Sequence, residues 1–477
     1  MTTPKQVNLN TNIRDICNFI WDIEEKYHLF SKTIDRIYFW ELIRFRLLHI
    51  IYDAILENQP DQKKIKKNKK VIKQRFLKFK QLLKSVYFSY LYGTFNKSKT
   101  VDILIFEHPR KVVFQDLYID IYTNDFVNKC KKNNINYELI EAAYNGVHYC
   151  GKSSKRSYLD HNYFSFLFQA LMNKFSPKKR VNIFDDHIKL LRQLQDEIYN
   201  QFNVKIDLYT ITINQVSNFK LEYNFYDALL VRKKTKRVYL VVSYGQKPLV
   251  AACKKNNIEI VEFQHGFMGK YHLGYSYPSK QKIHYFPDKL MLFGKYWYET
   301  TPLPLNEQQI VFDGFPYIEK KIKKITIKKI KNQILFISQQ PMGEKLFKIA
   351  YNFALKYQNF TVIFKPHPSE ITYGKIYPSP SKLKALNNLI LIRHNSIDTY
   401  SLLASSEFVV GIFSTAIFEA IALGCKAILV NLLGIENMEY FLERSHAFLV
   451  NNENDIYESI NNYSLTYIDP KLFFANL

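Results

Sequence analysis

The chain has 477 residues, 47% of them hydrophobic, which allows two sizeable domains and excludes a disordered protein. Its formal net charge of +24 at pH 7 fits a polyanionic partner such as nucleic acid, anionic lipid or a phosphorylated substrate, but also a sequence biased towards Lys, Asn, Ile, Tyr and Phe. The sequence has no zinc finger, no RNP-type strand pattern and no Arg-rich recognition helix, so nucleic acid is not expected as a partner.

The apolar residues are distributed as in a cytoplasmic protein. Residues 1–12 lack the apolar core of a signal peptide, and no uncharged apolar run reaches the roughly 20 residues that span a bilayer. The five cysteines are scattered, without metal-ligand or redox spacing. We therefore expect buried thiols, and neither disulfides nor a zinc site.

Residues 1–98 are predicted to form a basic, helical N-terminal region. Apolar residues between 34 and 51 recur at helical spacing. A Lys-rich run, 63–70, precedes a second amphipathic stretch, 71–91, whose lysines mostly face away from its apolar stripe. Such a helix can lie on an anionic membrane surface, here the inner face of the membrane, or pack on the domain behind it with its lysines in solvent. Both interpretations stay open.

Residues 99–318 are predicted to form a Rossmann-like domain, because short apolar runs alternate with longer amphipathic segments. The predicted strands are 101–106, 137–140, 237–242, 258–263, 290–293 and 310–312. The segment after Gln115 is predicted to be helical. Asp185-Asp186 is interpreted as the start of a long helix and not as a pair of metal ligands.

Residues 319–477 are predicted to form a second Rossmann-like domain, whose Lys-rich first part, 319–331, resembles a linker. The predicted strands are 334–337, 360–364, 389–392, 408–413 and 427–430, and the predicted helices are 344–357, 397–404 and 415–423. Two such domains leave a cleft between them. Ligands of open α/β sheets bind outside the carboxyl ends of the strands.

The first candidate motif is Phe364-Lys365-Pro366-His367-Pro368, directly after a predicted strand. Its prolines stiffen the chain and remove backbone donors, so a cation and an imidazole would be held at the carboxyl end of the strand. Lys365 and His367 could there neutralise a diphosphate or a phosphodiester as it leaves. A stiff turn with a solvent-facing histidine is an equally good interpretation of this motif alone.

The second motif runs from Gly411 to Thr415, where a predicted strand turns directly into a helix. Ser and Thr are favoured N-caps, and the helix N-terminus offers unpaired amides and a positive dipole end to an anion. Glu419 lies on the first turns of this helix, within reach of a ribose. Capping alone is the alternative interpretation.

Together, the two motifs fall in one predicted sheet and resemble the nucleotide-binding half of GT-B enzymes. Similar families are bacterial capsule and lipopolysaccharide glycosyltransferases, including the CMP-sugar-dependent sialyl- and Kdo-transferases, and the teichoic-acid CDP-glycerol glycerophosphotransferases. The resemblance implies a nucleotide-sugar donor, CMP-linked in some of these enzymes, and a glycan or glycolipid acceptor. It assigns donor-phosphate contacts to His367, Pro368, Ser414 and Thr415, a ribose contact to Glu419, and a place near the donor to Gln339.

The third motif is Glu262-Phe263-Gln264-His265-Gly266, which closes a strand of the first domain. It resembles the strand-His-Gly element of the glycerophosphotransferases, in which the histidine is the general base. Imidazole is suited to deprotonating an acceptor hydroxyl near neutral pH. The alternative is a histidine that is hydrogen-bonded inside the seam between the domains.

A rival general base is Glu107, which follows the first strand of the first domain and precedes His108-Pro109-Arg110. A carboxylate at that strand end could face the acceptor. Because a solvated Glu in a turn is the more common case, His265 ranks first.

The sequence has no Walker-type phosphate loop, no clean GxGxxG and no DxD metal site. We therefore predict a metal-independent glycosyltransferase without a cofactor, an α/β protein of two Rossmann-like domains (GT-B) with a helical N-terminal extension. A CDP-glycerol-type glycerophosphotransferase or a sugar-nucleotide epimerase are alternatives on the same fold, the epimerase being disfavoured because its cleft carboxylates are not evident. The third hypothesis is a non-enzymatic, membrane-peripheral scaffold in polysaccharide assembly.

Overall fold

The computed structural model describes residues 11–57, 87, 91, 93–94, 100–114, 116–144, 147–151, 153–160, 181–279, 281–340, 342–367, 370, 386–392, 398–462 and 464–477. The Lys-rich run 63–70, most of the amphipathic stretch 71–91, and Pro368 lie outside these ranges. The expectations for those residues therefore remain predictions.

Two helices open the described part of the chain. Helix α1 (Ile13–Lys26) begins with a capping box formed by Asn12 and Asp15. Helix α2 spans Phe39–Glu57. The predicted helical spacing begins earlier, at Ile34, but Ile34 and Ile37 pair in a backbone bridge before the helix starts.

The first domain contains a seven-stranded sheet of parallel ladders, in the order β5-β4-β1-β6-β7-β8-β9. Its strands are β1 (Ile103–Phe106), β4 (Tyr137–Glu141), β5 (Arg156–Tyr158), β6 (Arg237–Val241), β7 (Glu259–Phe263), β8 (Lys289–Leu292) and β9 (Ile310–Phe312). Described helices of this domain are α3 (Asn124–Lys132), α4 (Asp185–Phe202), α5 (Leu208–Lys233), α6 (Lys247–Lys255) and α7 (Lys295–Glu299). Strands β1 and β4 are buried throughout, as expected for a parallel sheet covered on both faces.

One segment of this domain differs from the sequence-based expectation. Residues 112–119 form an antiparallel hairpin of β2 (Val112–Phe114) and β3 (Leu117–Ile119), and the helix predicted after Gln115 begins only at α3. Branched and aromatic side chains favour strands, and Asp116 adopts the left-handed conformation (φ 60°) that a tight turn requires.

The second domain contains a six-stranded parallel sheet in the order β12-β11-β10-β13-β14-β15. Its strands are β10 (Ile330–Ile337), β11 (Thr361–Lys365), β12 (Leu389–Leu391), β13 (Ser406–Gly411), β14 (Lys426–Val430) and β15 (Ala447–Val450). Helices α8 (Pro316–Lys324), α9 (Gly343–Lys356), α10 (Thr399–Ser405), α11 (Thr415–Ala422), α12 (Glu439–Glu443) and α13 (Glu453–Asn462) precede, connect or follow these strands. Numbered within each domain, the six parallel strands from β12 to β15 have the Rossmann order 3-2-1-4-5-6, and the first sheet follows the same order with one more strand. The predicted α/β fold of two Rossmann-like domains is confirmed.

The Lys-rich segment 319–331 is not an unstructured linker, because α8 covers its first part and β10 begins at Ile330. Gly314 makes the preceding turn with a φ of +75°, and Pro316 occupies the first turn of α8. Ile318 anchors the helix in the core, and the lysines of its last turn complement the helix dipole.

Buried Arg44 ties the N-terminal helices to the first domain. Its Nε donates to Glu24 Oε1 of α1 at 2.7 Å, and its Nη1 donates to the carbonyl oxygens of Leu273 and Ser276. The guanidinium also lies 4.3 Å from the ring centroid of Tyr277. Helices α1 and α2 are thus integral to the folded first domain.

The C-terminal segment returns to the first domain. Trp297 Nε1 of α7 donates to the carbonyl oxygen of Phe473 at 3.0 Å, and the amide of Ala475 donates to the carbonyl oxygen of Phe293 at 2.7 Å. A Cβ at Gly294 would clash with the backbone of this segment, so the close approach requires glycine.

Within the described ranges, no helix is long and apolar enough to cross a membrane. The same ranges contain no group of three or more His, Cys, Asp or Glu side chains that could hold a metal ion. All five cysteines are free thiols, with Cys150 half-buried and the other four buried.

Candidate active site

The strand order reverses once in each sheet, and the predicted site residues lie near these points. In the first sheet the reversal lies between β1, which Glu107 follows, and β6. In the second sheet it lies between β10, which leads to Gln339, and β13, which leads to Ser414. Crossovers that leave on opposite faces open a crevice there, at the carboxyl ends of the strands.

Three neighbouring strand ends form the rim of the second sheet. Strands β11, β10 and β13 are adjacent, with a spacing of about 4.8 Å between neighbours. The amide of Ser338 donates to the carbonyl oxygen of Lys365 at 2.9 Å. Gln339 Oε1 accepts from the amide of Phe413 at 3.2 Å, so this side chain fixes the turn that carries Ser414.

Ser414 is the N-cap of α11. Its backbone is extended, and its Oγ accepts a hydrogen bond from the amide of Ala416 at 3.3 Å. A hydroxyl that accepts in this way still has its own proton to donate to a ligand. Thr415 is the first residue of α11, and both hydroxyl side chains belong to half-buried residues.

Lys365 and His367 follow β11 at the same rim. Lys365 is only 9% exposed, and burial lowers the pKa of its ammonium against the opposing effect of Asp398. Among the described residues, the Lys365 ammonium has no hydrogen bond or ion pair. Burial also lowers the pKa of His367; Glu370 opposes this effect, and Arg110 and Lys365 add to it. The backbone amide of His367 donates to Glu370 Oε2 at 2.7 Å, which fixes the turn after the strand.

An aromatic contact joins the rims of the two domains. The ring of Phe267, two residues after His265, lies 5.8 Å from the ring of Phe413 and 6.1 Å from that of Phe418. Phe413 immediately precedes Ser414. The contact therefore joins the loop after His265 to the turn that carries Ser414. We refer to the strand ends of the first and second domains as the first and second walls of the cleft expected between the domains.

His265 is surrounded by aromatic hydroxyls and other imidazoles. Its Nδ1 lies 3.3 Å from Tyr275 Oη and its Nε2 lies 3.4 Å from Tyr244 Oη. The ring of His108 stacks against it at a centroid distance of 6.3 Å. Burial, with smaller effects of His272, His108 and Arg110, lowers the pKa of His265 to about 3. The imidazole is therefore neutral at pH 7.

Glu107 is held in a buried network of charges instead of lying free in the cleft. Its carboxylate forms an ion pair with Arg156 and lies 3.0 Å from Lys111 Nζ. Arg156 also pairs with Glu141 at 2.6 Å. The Glu107 carboxylate is thus occupied by two cationic partners inside the first domain.

Glu419 lies on α11 with its carboxyl group buried. Burial raises the pKa of Glu419 to about 7, and a hydrogen bond from Tyr400 opposes the rise. Its charge also acts on Tyr122 of the first domain, where burial is the main cause of a raised pKa. Glu419 therefore lies close to Tyr122 of the first domain.

Sequence reasoning assigned no role to Arg110, which the structure places among the site histidines. The Arg110 side chain is exposed, and its positive charge contributes to the lowered pKa of His108, His265 and His367, in each case behind burial. It also acts on Tyr122, where it opposes the burial that raises the pKa of that phenol. The sequence signal that could have indicated Arg110 is its position in His108-Pro109-Arg110, where a cation, a proline and a histidine follow a strand, as they do at Lys365.

A cavity of about 520 Å³ lies elsewhere in the first domain, under the hairpin of β2 and β3. Its lining includes Tyr118, Tyr137, Tyr149 and Arg156, but none of the predicted site residues. The cleft, in contrast, combines two cations, neutral imidazoles, hydroxyls and a helix N-terminus. This is the donor set that binds phosphate groups in proteins.

No model of a known protein family matches the chain, and no curated protein matches it in sequence. Among solved structures, UDP-GlcNAc 2-epimerase from Methanocaldococcus jannaschii is 11% identical, with a TM-score of 0.45, over 77% of this chain and 94% of the epimerase. UDP-GlcNAc 2-epimerase from Neisseria meningitidis, bound to UDP-GlcNAc, is 13% identical, with a TM-score of 0.42, over 75% of this chain and 89% of that epimerase. The glycotransferase of kitacinnamycin is 8% identical, with a TM-score of 0.43, over 76% of this chain and 90% of the glycotransferase. Similarity at this level carries no conclusion about the reaction of this chain.

Proposed function

We propose that this chain is a glycosyltransferase that transfers a sugar from a nucleotide-activated donor to a cell-surface polysaccharide or lipopolysaccharide, without a metal ion. The observation that carries the proposal is the ring contact between Phe267 and Phe413, at 5.8 Å. This contact joins the loop after His265 to the turn that carries Ser414, which supports a site with the imidazole on one side and the proposed phosphate-binding groups on the other. Transfer from a nucleotide donor to a hydroxyl needs a base for the hydroxyl proton and, opposite it, an anion site for the leaving nucleotide.

In the proposed complex, the donor phosphate lies against the second domain. Lys365 supplies positive charge, His367 and the hydroxyls of Ser414 and Thr415 donate hydrogen bonds, and the N-terminus of α11 adds its dipole. Glu419, held by Tyr400, accepts a hydrogen bond from a ribose hydroxyl. A cytidine nucleotide is one of the donors that the motifs imply.

In the proposed step, His265 takes the proton of the acceptor hydroxyl at Nε2. The hydroxyl oxygen bonds to the anomeric carbon, and the bond from that carbon to the donor phosphate breaks. Its electron pair leaves with the nucleotide. Because burial lowers the pKa of His265 to about 3, its imidazole is neutral at pH 7, and the lone pair of Nε2 can accept this proton.

A donor screen tests this proposal. The full chain is incubated with CMP-, CDP-, UDP- and GDP-linked donors and glycan acceptors, and the products are identified by mass spectrometry. Transfer of a sugar is the expected result. Transfer of glycerol phosphate, or epimerisation of a donor, would identify one of the alternative reactions, and no turnover of any donor by folded protein would contradict an enzymatic role.

His367→Ala tests the phosphate assignment within the same assay. We expect it to abolish transfer and leave the fold intact, because the imidazole is at the rim and the strand before it is held by the sheet. His187→Ala, which removes an imidazole from the first turn of α4, is the matched control. Full activity of His367→Ala would refute the assignment.

A place on the inner face of the membrane is also part of the proposal, supported by the net charge of +24 and the Lys-rich run 63–70. Deletion of the first hundred residues would not test it cleanly, because α1 and α2 bury Trp40 and Arg44. Replacement of the lysines in 63–70 by glutamine, followed by flotation with anionic liposomes, is the better test. Unchanged flotation would exclude a role for this run.

A further inference from the structure

A chain of buried polar groups lies behind His265. Glu262 is the fourth residue of β7 and fully buried, and Tyr275 in the following loop is 1% exposed. Tyr275 Oη lies 2.5 Å from Glu262 Oε1 and 3.3 Å from His265 Nδ1. The tyrosine hydroxyl thus connects a buried carboxyl group to one nitrogen of the candidate base.

The number of hydrogen-bonding protons on these three side chains fixes the direction of the hydrogen bonds between them. Glu262 Oε1 also accepts from the backbone amide of Ser243 at 2.9 Å, so it is an acceptor site. Tyr275 has a single hydroxyl proton. At 2.5 Å from a carboxyl oxygen, that proton is donated to Glu262. Tyr275 Oη is then left as an acceptor, and the hydrogen of its contact with the imidazole must come from His265 Nδ1.

Protonation of Glu262 at Oε2 keeps this direction. Burial raises the pKa of Glu262 against its hydrogen bonds with Ser243 and Tyr275. In the described part of the chain, Glu262 Oε2 is buried and has no hydrogen-bond partner. A proton on Oε2 would leave Oε1 accepting from both donors.

We propose that Tyr275 and Glu262 are positioning residues that hold His265 as the tautomer protonated at Nδ1. The other nitrogen, Nε2, then presents its lone pair towards Tyr244 Oη, 3.4 Å away, and the cleft. The tautomer assignment depends only on this hydrogen-bond chain, whereas its catalytic consequence rests on the proposed function. In that reaction, an acceptor hydroxyl gives its proton to Nε2 while Nδ1–H continues to donate to Tyr275.

The direct test is NMR of the full chain with ¹⁵N-labelled histidine. The His265 signals are assigned by their loss in His265→Gln. The wild-type spectrum is expected to show hydrogen on Nδ1 and a bare Nε2. Hydrogen on Nε2 in the wild type would overturn the proposal.

Tyr275→Phe removes only the connecting hydroxyl, and we expect it to shift His265 towards the tautomer protonated at Nε2. The control is Tyr277→Phe, another buried tyrosine, whose hydroxyl lies 3.4 Å from Lys247 Nζ and has no contact with His265 among the described residues. It should leave the His265 signals unchanged. An unchanged tautomer in folded Tyr275→Phe would overturn the positioning role.

The kinetic test separates positioning from general stability. With an active donor, Tyr275→Phe is expected to lower kcat about ten- to a hundredfold, within the range that a displaced general base accounts for, and to leave the donor KM unchanged. Tyr277→Phe should change neither. A shifted tautomer with unchanged kcat would contradict the catalytic consequence. Absence of turnover in the wild type would refute the proposed function and leave the tautomer result standing.

Discussion

Burial acts in opposite directions on the titratable groups of the two cleft walls. On the first-domain wall, burial with smaller effects of neighbouring cations and imidazoles lowers the pKa of His265 to about 3. On the second-domain wall, burial raises the pKa of Glu419 to about 7. In both cases desolvation disfavours the charged form, which is the positive form of histidine and the negative form of glutamate. The same physical effect therefore produces a neutral base on one wall and a neutral acid on the other.

This difference indicates a division of roles. The first wall holds groups that can take a proton, and the second holds groups that can bind an anion, with no ionised carboxylate of Glu419 to repel it below about pH 7. Positive charge comes from Lys365 on the second wall and from Arg110 on the first. Variants of the two walls should thus affect different steps.

The largest effect is expected for His265→Gln. Loss of a general base should lower kcat by about 10²–10⁴-fold, while nucleotide binding stays unchanged because the phosphate-binding groups are on the other wall. Steady-state kinetics and calorimetric titration with nucleotide measure the two quantities. If His265→Gln weakened nucleotide binding and left kcat unchanged, His265 would bind the donor and would not be the general base.

Glu419→Gln should make stability less dependent on pH. Folded Glu419 keeps its proton to about pH 7, whereas the unfolded chain loses it near the ordinary value of 4.5. The unfolded state therefore binds fewer protons between these values, and wild-type stability falls as pH rises through that window. Above pH 7 the variant should be the more stable by on the order of 1–3 kcal/mol, and at pH 4 the two should be equal.

Urea unfolding at pH 4, 6 and 8 measures this difference. The control is Glu443→Gln, at an exposed carboxylate of α12. A constant difference between wild type and Glu419→Gln at all three pH values would show that Glu419 is ionised alike in both states.

Arg110→Ala tests whether the first wall also reaches the donor. If the guanidinium contacts the phosphate, its loss should weaken nucleotide binding about tenfold, the value of one charge-assisted hydrogen bond. Titration calorimetry measures the effect, with Arg444→Ala at the C-cap of α12 as a control for the loss of one positive charge. Unchanged affinity would confine the anion site to the second domain.

The smallest effect distinguishes the two hydroxyls of the second wall. Ser414→Ala removes the N-cap of α11 and should lower the free energy of unfolding by about 1 kcal/mol. Thr415→Ala keeps the cap and should leave the free energy of unfolding nearly unchanged. An unchanged free energy of unfolding for Ser414→Ala in urea would mean that the Ser414 cap contributes nothing to stability.

Sequence patterns predicted the strands well because parallel strands buried on both faces are continuous apolar runs, as at residues 103–106 and 334–337. The motifs at Lys365, Ser414 and His265 were found because each directly follows such a run. Short segments were less informative. Residues 112–119 fit a helix or a hairpin, and only the left-handed turn at Asp116 decides between them.

The remaining features depend on contacts between distant parts of the chain. Arg110 is distinguished from other surface cations only by its approach to His367, which lies in the other domain. Tyr275 is ten residues from His265 in a loop with other tyrosines, and local sequence does not show which of them meets the imidazole. Similarly, no pattern near Phe473 predicts that the C-terminal segment packs on Trp297.

Nucleotide binding to the second wall is the most direct test of this account. Thermal unfolding of the full chain is followed with CMP, CDP, UDP and GDP, in the wild type, in His367→Ala and in the His187→Ala control. A true ligand at a hundred times its Kd should stabilise the fold by about 2.7 kcal/mol and raise Tm accordingly. We predict that at least one nucleotide raises Tm in the wild type and the control but not in His367→Ala. An equal rise in all three proteins would place the nucleotide elsewhere and contradict the account.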